Sequence, residues 1–162
     1  MRYAAVFIML TVALAGVGPA SAQTRISNFG LKNQNDQYTE VNFPSDRPVI
    51  LIFGDRKGAE QIAGWSKPLY DGYGKRVYIF GIASLGGVPS YARGLVRRLI
   101  KRQTSYPVLL DWGGKVADGL GYEAGKAFVV VLSKDGSVTA KHSGPANETS
   151  LNAIKAELNK QF

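Results

Sequence analysis

Pro48-Val-Ile-Leu-Ile-Phe-Gly-Asp-Arg-Lys-Gly58 decides how the chain is read. Val49 to Phe53 is an unbroken apolar run rich in β-branched side chains, bounded by Pro48 and Gly54. An apolar run of that length between two breakers reads as a strand covered on both faces, and such strands belong to largely parallel sheets flanked by helices. Gly54-Asp55-Arg56-Lys57-Gly58 then turns the chain into a helical pattern. In open α/β sheets, ligands and reacting groups collect at the carboxyl ends of the strands, so this turn is the first place to look for a site. It carries charge but no thiol, no histidine and no evident nucleophile.

Downstream, Ile62, Trp65 and Leu69 are spaced to share one face of a helix over 59–69, which makes Trp65 a core side chain. Pro68 is expected to kink or end that helix, and 70–75 reads as a loop with Gly72 and Gly74. Residues 76–84 form a second apolar strand, ended by Gly86-Gly87. Pro89 suits the first turn of the next helix. Its stripe of Tyr91, Leu95, Val96, Leu99 and Ile100 is assigned to the core, with Arg93, Arg97, Arg98, Lys101 and Arg102 largely on the other side. Tyr106 to Asp111 is a short strand ending in an acid, and 115–120 is a brief helix. Ala127 to Leu132 is another buried strand. Asp135-Gly136 is a hairpin turn into an edge strand over 137–142, with Val138 and Ala140 on one face. Asn147 opens a last helix with Leu151, Ile154 and Leu158 inward.

Upstream, Phe29 and Leu31, the turn cluster Asn33–Asp36, and then Tyr38, Val41 and Phe43 suggest a hairpin-like element before the first core strand. The extreme N-terminus has the pattern of an export signal: Arg2, an apolar stretch from Ala4 to Val17, and Ala20-Ser21-Ala22 as a small-residue cleavage site. The expected organisation is therefore a signal peptide over 1–22, cleaved after Ala22, and one domain over 23–162. That predicts a periplasmic or secreted protein with no transmembrane segment after cleavage.

The chain has no cysteine, so thiol chemistry of every kind is excluded by composition. His142 is the one histidine and has no companion with which to form a usual metal shell, so neither a metal nor a cofactor is expected. Asp55 with Glu60 could pair as carboxylates, but Arg56 and Lys57 beside them favour a solvated charged turn. The stretch 81–87 lacks the lysine and spacing of a phosphate loop. The formal charge of +8 favours solubility and permits contact with an anionic surface. If the basic helix over 89–102 makes such a contact, it should lie flat, its apolar residues being needed inside. Nucleic acid is not expected, because the helix shows no interleaved exposed aromatics.

Strands alternating with helices, plus an antiparallel hairpin, give an α/β sandwich with a mixed central sheet and helices on both faces. Phe29-Gly-Leu31, Arg47 to Phe53, Pro68-Leu69, Tyr106 to Asp111, Lys115 to Tyr122, Phe128 to Gly136 and His142-Ser-Gly144 follow one another in the order and spacing of known segments. On these the chain resembles the thioredoxin-like superfamily in its redoxin branch, the alkyl hydroperoxide reductase/thiol-specific antioxidant and TlpA-like proteins. More loosely it resembles periplasmic proteins of the YtfJ type. The resemblance spans about residues 28 to 160 and implies a thioredoxin-like three-layer sandwich. It also implies a reactive cysteine in the turn after the first core strand. Counting from Phe53 puts Gly58 and Gln61 at the cysteine pair, and counting back from Pro68 puts Glu60 and Ala63 there. The cis-proline or arginine that the resemblance implies before the late core strand is Gly125 or Lys126. A thiolate begins both disulfide exchange and peroxide reduction, and none of these residues supplies one.

The resulting expectation is a redox-inactive binding or accessory protein. It would use the former active-site face, with Asp55, Arg56, Lys57, Gly58 and Lys126, to hold a protein partner, an extended segment pairing there like a strand. The alternatives are a non-thiol enzyme using Asp55, Glu60 or His142 on that face, and a protein held on an anionic surface by the basic helix.

Overall fold

The structure, a computed structural model, describes residues 24–162; the expected signal segment and its cleavage site lie outside the described residues. Strand β3 (Val49–Gly54) is buried along its whole length, as its apolar run requires. Around it are β1 (Phe29–Lys32), β2 (Tyr38–Val41), α1 (Ala59–Tyr73), β4 (Tyr78–Ser84), α2 (Arg93–Gln103), β5 (Val108–Asp111), α3 (Lys115–Leu120), β6 (Phe128–Leu132), β7 (Val138–Ser143) and α4 (Glu148–Asn159). A 3-10 turn, Ser90–Ala92, leads into α2.

Five strands form the central sheet in the order β5-β4-β3-β6-β7. β3, β4 and β5 run parallel, while β6 and β7 are added antiparallel. β1 and β2 pair as a separate two-stranded hairpin, so the expected N-terminal hairpin is present but lies outside the main sheet.

Strand side chains alternate between faces, which divides the core in two. Ile50 and Ile52 pack with Trp65 and Leu69 of α1 and with Ile154 and Leu158 of α4. Val49, Leu51 and Phe53 point the other way, to Ala117 and Leu120 of α3 and to Phe29, Leu31 and Val41 of the hairpin. Two local devices fix the helix starts. Asn147 and Ser150 form a reciprocal capping box on α4. The buried Asp111 at the end of β5 accepts from the Val116 and Ala117 N–H groups, each at 3.0 Å, and so caps α3.

Three expectations are corrected. Pro68 does not end α1: the helix runs on to Tyr73 and takes in most of the expected loop. Leu69 and Tyr73 are buried beyond it, and burial of those side chains, about 1.5–3 kcal/mol for a large one, offsets the lost backbone bond. Val138 and Ala140 do not share a face. A bulge between Val131 and Leu132 shifts the register, so Val138 joins the hairpin side of the core and Ala140 the α1/α4 side. Nor does the apolar stripe of α2 enter the core: none of the helix's residues is buried and none belongs to either cluster. Periodicity shows that a helix has an apolar side, not that a neighbour covers it, and here the hairpin and α3 already cover the adjoining sheet face.

Candidate functional site

Parallel pairing brings the carboxyl ends of the three strands into line, Gly54 opposite Ala83 and Ser84 opposite Asp111. Above these ends lies an open cleft of about 1330 Å³. Asp55, Arg56, Lys57 and Glu60 edge it from the turn, Val96 and Ile100 border it from α2, and Tyr122 closes it from the segment after α3.

Asp55 is the organiser of the turn. Its Oδ1 accepts from the Lys57 N–H at 3.0 Å and the Gly58 N–H at 2.8 Å, and its Oδ2 accepts from the Gly125 N–H at 2.7 Å. Its own N–H donates to the Tyr122 hydroxyl at 2.8 Å. Burial pushes that hydroxyl above the ordinary tyrosine range, while the backbone N–H of Asp55 acts the other way. The Asp55 carboxylate thus ties the start of α1 to the loop before β6 and has little capacity left for a ligand.

Gly58 and Lys126 stand apart from the cleft. A Cβ on Gly58 would lie 2.3 Å from the Lys126 carbonyl oxygen, so turn and loop are in backbone contact there. The Lys126 ammonium pairs with Glu123 at 2.7 Å. One turn into α1, the Gln61 amide accepts from the Ala127 N–H at 3.0 Å and donates to the Gly125 carbonyl at 3.4 Å. Of the two possible cysteine pairings, Gly58 with Gln61 is the one that faces the segment before β6, while Glu60 and Ala63 are exposed. Gln61 already occupies backbone groups in that segment that an incoming strand would need. Arg56 and Lys57 are exposed at the cleft edge and make no ion pair among the described residues.

His142 is not part of the cleft. It lies on edge strand β7, half-buried, its ring 5.0 Å from that of Trp65. Trp65 is fully buried and donates to the Gly144 carbonyl at 2.9 Å, which confirms it as core. Among the described residues no group of three or more His, Cys, Asp or Glu side chains could hold a metal ion, and no helix is long and apolar enough to cross a membrane.

The basic face of α2 divides. Arg93 stacks over Trp112 at 5.5 Å, and Arg97 pairs with Asp36 of the β1–β2 turn at 2.9 Å. Arg98, Lys101 and Arg102 are exposed without an ion pair among the described residues. Sequence reasoning missed Gln61 and Tyr122 as the residues that join turn to loop. Neither follows a motif, since each acts through a backbone group some sixty-five residues away, as the separations of 66 and 67 positions show.

A mixed five-stranded sheet with helices on both faces, and a helix starting at the carboxyl end of its central strand, is the thioredoxin-like fold. Solved structures carry the same architecture. An exposed lipoprotein thioredoxin of Streptococcus pneumoniae superposes with a TM-score of 0.66 at 18% identity, over 83% of this chain and 99% of that one. The peroxidoxin BcpB of Mycobacterium tuberculosis gives 0.62 at 19%, over 86% and 97%. StoA of Bacillus subtilis gives 0.60 at 15%, over 81% and 96%. At these identities the likeness is one of fold. No family model and no curated protein matches the sequence. The chain has the thioredoxin-like fold and no cysteine.

Proposed function

We propose that this chain is an exported, redox-inactive thioredoxin-like domain that binds a partner protein in the cleft between the Asp55–Gly58 turn and α2. The observation that carries the reading is the cleft itself, placed over the carboxyl ends of β3, β4 and β5 where this class of fold holds its ligands. Arg56 and Lys57 at its edge are cations without an ion pair among the described residues, so a segment bearing carboxylates fits best. Strand-like pairing on the loop before β6 is disfavoured, because Gln61 holds Gly125 and Ala127; the partner's contacts are side chains in the cleft. The signal-like sequence over 1–22 and the fold shared with an exposed lipoprotein support export.

Binding is favoured over non-thiol catalysis. Three backbone N–H groups occupy Asp55, and His142 lies outside the cleft. The test is affinity capture with the purified protein and with Arg56→Ala/Lys57→Ala. A partner lost in the double variant supports the reading, and identical partner sets overturn it. Insulin-disulfide reduction and hydroperoxide reduction should both be blank, and turnover in either would remove the premise.

A further inference from the structure

The outward face of α2 is a separate feature of the molecule. Leu95, Arg98, Leu99 and Arg102 recur at the spacing that puts side chains on one side of a helix, and Tyr91 stands just ahead of them on the preceding turn. Tyr91 is 90% exposed, Leu95 55% and Leu99 45%. Val96, Arg97 and Ile100, on the opposite side, are partly covered. Arg97 is held by Asp36, whereas Arg98, Arg102 and the flanking Lys101 have no acidic partner among the described residues. The helix contains no Asp or Glu at all. Three large apolar side chains and three cations without an ion pair therefore share an exposed helix surface that the described residues leave uncovered.

We infer that this face docks α2 on an anionic lipid bilayer. Leu95, Leu99 and Tyr91 enter the headgroup layer, while Arg98, Lys101 and Arg102 meet lipid phosphates. Helices of this type lie in the interface plane, apolar side down, and gain from both burial and charge. The long cationic stems extend past the leucines toward the headgroups. An exposed helix face of leucines and cations with no acidic residue suits a planar anionic interface. The sequence-based expectation of a helix resting flat on charge alone is replaced by one in which leucines insert. Leu99 also lines the cleft, but the inference does not depend on the cleft reading, because Tyr91, Leu95, Arg98, Lys101 and Arg102 lie outside it.

The test is co-sedimentation of the purified protein with phosphatidylcholine vesicles, with and without phosphatidylglycerol. Binding is expected only to the anionic vesicles and should fall steeply as salt is raised. Arg98→Gln/Arg102→Gln should weaken it about twenty-five-fold, each cation near the surface contributing about fivefold. Leu95→Ser/Leu99→Ser keeps the charge and should weaken it about tenfold, with far-UV circular dichroism confirming an intact fold. Tyr91→Trp should show blue-shifted emission on anionic vesicles. Equal binding to neutral vesicles overturns the inference, as does indifference to either double substitution. Capture by an acidic protein with no vesicle binding also overturns it.

Discussion

At the scale of single residues, Asp55 and Gly58 show how a turn can be charged and still be structural. Asp55→Ala would strand three N–H groups that now donate to a carboxylate, with an expected loss of about 2–4 kcal/mol in urea unfolding. Gly58→Ala would force the turn off the Lys126 backbone, and overpacking of this kind costs about 1–3 kcal/mol. Asp135 sets an acid limit. The Ser133 hydroxyl, then the Ser137 N–H and hydroxyl, and Arg25 hold its carboxyl well below the usual carboxylate range. A depressed folded value stabilises above the unfolded one, near pH 4, and that contribution is lost as pH falls below it. The urea midpoint should therefore drop on acidification below about pH 4, and should drop less in Asp135→Asn. Equal pH slopes for the two proteins would remove Asp135 as a cause.

At the scale of elements, α1 carries a proline that its buried residues override. Pro68 lacks the N–H that would bond the Gly64 carbonyl, so Pro68→Ala should raise stability by about 1–3 kcal/mol, read as a higher urea midpoint at unchanged slope. The strands were the legible elements: β3 and β6 are runs of five or six consecutively buried residues, and Asp135-Gly136 marked the turn after β6. The short α3 was legible from its bounding glycines, Gly114 and Gly121, both at positive φ. The surroundings of α2 were not legible. Its stripe has the same spacing as that of α1, yet Trp65 and Leu69 are fully buried while Leu95 and Leu99 face out. That difference depends on what the hairpin and α3 cover, which is a property of the assembled sheet. The cleft was legible as a location, through the strand-to-turn rule, but not as a set of contacts. Arg56 and Lys57 reach it, whereas Gly58 and Lys126 hold turn and loop together.

At the scale of the whole molecule, two apolar clusters share one sheet. β3 and β6 contribute alternate residues to both, so neither cluster can be dismantled while the other stays intact. A single cooperative transition is expected. Near-UV signals, which follow Trp65 and the tyrosines, should coincide with far-UV loss across a urea titration; separated midpoints would show that the halves come apart independently. The Gln61 amide carries a different consequence. Unanswered N–H and C=O groups at a strand's start are adhesive toward any passing extended chain. In this protein a side chain from the neighbouring helix answers the Gly125 carbonyl and the Ala127 N–H, acting as a built-in stopper at that edge.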